Sequence, residues 1–185
     1  MLEGRLVRLR AVDAEDRGRA AAWLNDPGVT YYLTERYGRA GDGETWLSDH
    51  SANGFSTGVR LAVDTKDGVH IGAVNLHRIN GEDRKAGLGI IIGSKEHWGR
   101  GYGEDAVVTL LRFAFHEMNL NRVWLTVVGG HERAIVCYRR CGFVEEARRR
   151  QEVYNHGRYW DFIVMGILRS EFEKLHGSSR GGDDA

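Results

Sequence analysis

Apolar and polar residues alternate along RLVRLR at positions 5–10, the two-residue period of a strand with one buried face. Asp13 then stands where a helix cap belongs, and the stretch it opens, to about Asn25, turns Trp23 and Leu24 inward. Asn25-Asp26-Pro27-Gly28 stops that helix, and a second helical patch covers about 42–52. VRLAVDT (59–65) and VHIGAVNLH (69–77) predict a hairpin turning at Lys66-Asp67-Gly68. AGLGIIIG (86–93) is apolar on both parities, as in a strand covered on both faces. Val107, Leu110, Leu111, Ala114 and Met118 then recur at helical spacing, which predicts one helix over 102–118. VWLTVV (123–128) is again a doubly buried strand.

Strand, helix and strand at these lengths make a βαβ unit, with strands 86–93 and 122–128 parallel and joined right-handedly. A short helix at 132–141 ends at Gly142. Strands at 143–153 and 159–168 close the fold around Asn155-His156-Gly157, and LRSEFEKL adds a last helical turn. The tail GSSRGGDDA is expected to be disordered. No repeat or linker interrupts the pattern, so residues 1–176 read as one domain followed by a tail, 177–185.

Charge narrows the function. The 185 residues carry 26 Lys plus Arg and 26 Asp plus Glu, a net charge of zero. That argues against a nucleic-acid or membrane partner, where one sign should dominate a face. MLEGRLVRLR lacks the apolar core of a signal peptide, and no apolar run reaches membrane-spanning length. Cys137 and Cys141 sit at C-x3-C spacing on a predicted helix, which fits no zinc pattern; they read as small buried side chains. A cytoplasmic protein without a metal is expected.

EHWGRGYGEDA (96–106) puts Gly99, Gly101 and Gly103 between the apolar run and the next helix. Helix N-termini carry unpaired N–H groups and partial positive charge, so a glycine-rich approach suits a phosphate, and Arg100 adds a full charge. A plain turn needing positive φ explains three glycines equally well. Gly101-x-Gly103-x-x-Ala106 also satisfies the dinucleotide fingerprint. Yet six residues separate it from the strand, and VWLTVVGG offers no acid for a ribose. The nicotinamide reading fails on both counts.

Three ordered motifs together resemble the GCN5-related N-acetyltransferase (GNAT) superfamily, in particular its ribosomal-protein N-terminal and spermidine acetyltransferase branch. W-G-R-G-Y-G-E-D-A (98–106) is similar to that branch's pyrophosphate loop. H-E-R-A-I-V-C-Y-R-R-C-G-F (131–143) fits its A-x-x-x-Y-x-x-x-G-F frame, and V-Y-N-H-G-R-Y-W-D-F-I-V-M-G-I-L (153–168) its closing hairpin. The likeness is close from 86 to 168 and weak over 1–60. It implies an α+β (mixed α/β) fold: a mixed six- or seven-stranded sheet with about four helices, a central parallel βαβ and splayed strands four and five.

The same resemblance implies acetyl-CoA as cosubstrate, a primary amine as acceptor (a protein N-terminus, a lysine, a polyamine or an aminoglycoside-like molecule) and a homodimer. By position, the backbone of Ile90, Ile91 and Ile92 would hold the pantetheine. Trp98, Gly99, Arg100, Gly101, Tyr102, Gly103 and Glu104 would wrap the pyrophosphate, with His131, Glu132 and Arg133 flanking the cofactor. Tyr138 stands at the position of the acid that protonates the leaving thiolate. Tyr31, Tyr32 and Glu35 would shape the acceptor pocket.

Two positions depart from the family pattern. Strand four usually begins A-E-L-G, whereas Ala86-Gly87-Leu88-Gly89 lacks the glutamate that helps take the amine proton. The usual Asn of the second motif is His131. His131, Glu152, His156 and Asp161 are candidate bases, but the motifs alone lead to a water relay with no indispensable base. The alternative of another class is a non-catalytic acyl-CoA-binding or regulatory protein of this fold.

Overall fold

The parallel pair sits at the centre of one sheet. In the computed structural model, which describes residues 1–33 and 58–177, the strands are β1 (Leu2–Glu3), β2 (Val7–Ala11), β3 (Val59–Thr65), β4 (His70–Asn80), β5 (Lys85–Ile92), β6 (Arg122–Val128), β7 (Val144–Asn155) and β8 (Arg158–Leu168). The helices are α1 (Asp16–Leu24), α2 (Pro27–Thr30), α3 (Tyr102–Arg112), α4 (Glu132–Cys141) and α5 (Arg169–His176). The helical patch expected at 42–52, Glu35 and residues 178–185 lie outside the described residues.

The strand order is β1-β2-β3-β4-β5-β6-β8-β7, with β5–β6 parallel and every other neighbour antiparallel. Eight strands replace the expected six or seven. The addition is β1, whose two residues pair Leu2 with Leu9 and are too few to show an alternation. The expected helix over 102–118 is also divided. After Arg112 the chain widens into a π-helical turn, Phe113–Glu117, closed by the Met118 N–H on the Phe113 carbonyl at 3.1 Å. The wide turn lets neighbouring Ala114 and Phe115 both reach full burial.

On one face of the sheet, Val7, Leu9, Leu76, Ala86, Leu88, Val123 and Leu125 join Val107, Leu110 and Leu111 of α3 in a single apolar core. The other face carries a buried polar network under α1. Arg10 grips the fully buried Asp16 with two bonds, Nη1–Oδ2 at 2.8 Å and Nη2–Oδ1 at 2.9 Å, and reaches Asp64 through Nε at 2.7 Å. His70 lies between Asp16 Oδ1, 2.9 Å from Nδ1, and the Gly72 carbonyl, 2.8 Å from Nε2. Asp13 caps the approach to α1, its Oδ1 accepting the N–H groups of Glu15 and Asp16.

Asp105 ties the two faces' framework together. From the first turn of α3 its carboxylate accepts the N–H groups of Arg5 (3.1 Å), Leu6 (2.6 Å) and Val7 (3.0 Å). This anchors the entry to β2 beside the glycine-rich turn. Among the described residues no helix is long and apolar enough to cross a membrane.

Candidate active site

β5 and β6 pair over three rows only: Lys85 with Arg122, Ala86 with Val123 and Gly87 with Trp124. β6 then follows β8 as far as Val128 opposite Phe162. Among the described residues, β5 therefore has no strand on its β6 side from Leu88 to Ile92. A cavity of about 420 Å³ opens at this parting, within the range of small-molecule sites.

Three groups of side chains meet in it. Ile90, Ile91 and Ile92 form the β5 wall. Trp98, Gly99, Gly101, Tyr102, Gly103 and Glu104 come from the turn and the start of α3. His131, Glu132, Arg133, Ala134, Cys137 and Tyr138 come from the start and inner face of α4. Of the residues the sequence assigns to the cofactor and the acid, Arg100 alone does not line the cavity and is exposed; Tyr31 and Tyr32, assigned to the acceptor, do not line it either. Val29, Leu33, His97, Val136 and Arg140 line it without having been anticipated.

The glycines have distinct reasons to be there. Gly99 at φ +73° and Gly101 at φ +86° occupy the left-handed region, where a side chain is strained. Gly101 caps α3, so the chain turns sharply and aims the first N–H groups of the helix at the cavity. Gly103 instead keeps space: a Cβ there would lie 3.7 Å from Ile92 Cγ1 and 4.0 Å from Cys137 Sγ, and anything larger would fill the gap between α3 and α4. Both the phosphate-site and the plain-turn features are thus present in one loop.

Trp98 fastens the turn to the strand, its indole Nε1 donating to the Ile92 carbonyl at 2.6 Å. The same residue is one of the three whose backbone the resemblance assigns to the pantetheine. The Arg133 guanidinium lies 3.9 Å above the Trp98 ring and bridges the two helix starts across the cleft. Tyr138, half-buried on α4, stands edge-on to Phe143 with ring centroids 6.1 Å apart. Burial pushes its phenol above its ordinary value near 10, and the neighbouring Cys137 and Cys141 thiols add to this. Burial, helped by the charge of Arg133, lowers His131 to about 4.

An aromatic cluster adjoins His131, which lines the cavity. Tyr32 stacks on His131 at 4.4 Å, Tyr31 stacks on His156 at 4.0 Å, and Trp160 meets Tyr32 edge-on at 6.0 Å. The buried Asn155 side chain donates to the Tyr31 carbonyl at 2.6 Å, fixing the chain after α2 to the closing hairpin. Glu152 and Asp161 are engaged instead in the hairpin itself, Glu152 with Arg149 and Asp161 with Arg148 and the Gln151 N–H.

Residues 6–144 match the family model described as acetyltransferase (GNAT) domain. The chain belongs to the GNAT family. It is 31% identical over 144 residues to spermidine N(1)-acetyltransferase of Vibrio cholerae, which spans 78% of this chain and 82% of that protein. To a putative ribosomal N-acetyltransferase of Bacillus subtilis it is 35% identical over 107 residues, 58% of each chain. Its fold matches a crystal structure of spermidine N-acetyltransferase from Vibrio cholerae in complex with CoA and spermine, with a TM-score of 0.80 at 30% identity over 90% of this chain and 98% of that one. The GNAT chain is accordingly an N-acetyltransferase.

Proposed function

We propose that the parting of β5 and β6 holds acetyl-CoA and that its acetyl group passes directly to a primary amine. The observation that carries this is the convergence of a left-handed glycine turn, a helix start and the open edge of β5 on one cavity. The N–H groups at the start of α3 and the Arg133 side chain suit a pyrophosphate. The free edge of β5 suits an extended amide chain, which would lie beside it as another strand. The attacking amine must be neutral, and the departing thiolate needs a proton, which Tyr138 supplies. Neither cysteine takes part, because direct transfer needs no acyl-enzyme.

The aromatic cluster of Tyr31, Tyr32, His131 and Trp160 would receive the acceptor, since aromatic faces attract an ammonium group. Likeness to a spermidine N(1)-acetyltransferase supports trying polyamines first, ahead of peptide N-termini, lysines and aminoglycosides. The test is release of free CoA thiol from acetyl-CoA in the presence of each. Release above the hydrolysis rate with at least one amine is expected. Tight acetyl-CoA binding with no acceptor-dependent release would favour the non-catalytic alternative.

Two variants probe the cofactor cleft. Gly103→Val should fold, because its Cβ meets only ordinary contacts, yet its branches enter the cavity. Acetyl-CoA affinity by calorimetry should drop about tenfold or more; an unchanged Kd would move the cofactor elsewhere. His131→Asn should retain most activity. With His131 at about 4 it is already neutral at pH 7, so the pH profile of the variant should overlay the parent's above about pH 5.5. A lost acid limb in that variant would make His131 a base.

A further inference from the structure

β4 sets His77 opposite Gly87, and β6 sets Trp124 opposite the same glycine. This row is the last in which β5 and β6 are joined before they part. A Cβ built on Gly87 would lie 2.3 Å from His77 Cε1 and 2.8 Å from each ring nitrogen. The imidazole of His77 therefore fills the space that a side chain at position 87 would occupy. Trp124 meets the ring edge-on, centroids 5.6 Å apart, and braces it from the β6 side. One step further along, a Cβ on Gly89 would lie 2.4 Å from Asn75 Oδ1, so two glycines of β5 make room for two polar side chains of β4.

The face matters as much as the space. By register, His77 and Asn75 share the α1 face of the sheet with Arg10, Asp64 and His70. Ile92, against the Gly103 position of α3, belongs to the opposite parity. The glycine turn and α3 thus lie on one face of the parting and His77 on the other. An acceptor that approached from the α1 face, past the Gly87 row, would meet the His77 imidazole.

We infer that His77 is the proton acceptor for the incoming amine, acting from β4 in the space where the family pattern places a carboxylate on β5. His77 takes the proton that keeps the acceptor an ammonium ion, and the freed lone pair forms the C–N bond to the thioester carbonyl. As the C–S bond breaks, its electron pair stays on sulfur, which takes a proton from Tyr138. The second amine proton restores the phenol through water, and His77 discharges its own to solvent. This replaces the water relay expected from the motifs, and it rests on the acetyl-transfer reading above.

Among the described residues, the charged groups on the same face of the flanking strands are Arg60 and Asp64 of β3, Lys85 of β5, Arg122 of β6 and Glu146 of β7, with Asp64 held by Arg10. Arg122 pairs with Glu146 and Lys85 with Asp83. On β4 itself, His70 is held against Asp16.

His77→Gln is expected to lower kcat/KM by about 10²-fold and to remove the parent's acid limb, with Tm and acetyl-CoA Kd as in the parent. In the double variant His77→Ala/Gly87→Glu, the carboxylate enters the vacated space. It should recover at least about tenfold of the His77→Ala loss, with the limb moved toward the carboxylate range. A His77→Gln protein with activity within a few-fold of the parent and the same limb overturns the assignment. So does a folded, acetyl-CoA-binding double variant with no recovery, and the double variant alone decides if His77→Gln does not fold. A parent chain that binds no acetyl-CoA, or acetylates no amine, would instead overturn the acetyl-transfer reading itself.

Discussion

Tyr138→Phe is expected to lower kcat by about 10²-fold or more while leaving Tm and acetyl-CoA affinity where they are. The ring keeps its place on α4 beside Phe143, and only the proton is removed. Because burial raises the phenol, Tyr138 keeps its proton throughout the physiological range; the same rise makes it a weaker acid, so the proton leaves only as charge builds on the departing sulfur. The parent should therefore show no loss of acid function below about pH 9. A Phe variant with kcat within a few-fold of the parent would assign thiolate protonation to solvent.

Asp16→Ala is expected to cost about 3 kcal/mol of folding stability, near 10 °C in Tm, because Arg10 and His70 lose the carboxylate they share. Asp16 itself is fully buried, whereas Asp13, more than half exposed, should cost less than about 1 kcal/mol when removed. Burial alone would raise the Asp16 carboxyl; the bonds from Arg10 and the Asp13 N–H outweigh it and hold the group at about 2. A depressed carboxyl stabilises the fold fully above its unfolded value near 3.8 and loses that contribution as pH falls toward 2. Burial lowers His70 as well, so its protonation on acidification works in the same direction. The Tm gap between parent and variant should accordingly shrink below about pH 4. A gap that is small at pH 7, or constant down to pH 2, would show that the network contributes little.

The centre of the molecule was the most legible part. β6 spans Arg122–Val128 and α4 spans Glu132–Cys141, as their patterns indicate, because a doubly buried strand and an amphipathic helix each leave an unbroken signal. Gly142 at φ +103° is the stop its position implied. The start of α1 shifted to Asp16 because Asp13 caps through a preceding turn. The polar network was hidden: Arg10 alternates like any solvent-facing residue of β2, and only the packing of α1 over that face buries its partner. His77 was hidden for a different reason. The motif at 86–89 shows that a carboxylate is absent, but what fills its space depends on the register between β4 and β5, which no local pattern carries.

The most direct measurement is mass spectrometry of the acceptor after incubation with acetyl-CoA and the protein, alongside the protein's own mass. The account predicts one acetyl group gained by the amine for each CoA thiol released, with no acetylated Cys137 or Cys141 at any stage. CoA release without an acetylated amine, or acetyl-CoA binding without release, would contradict it.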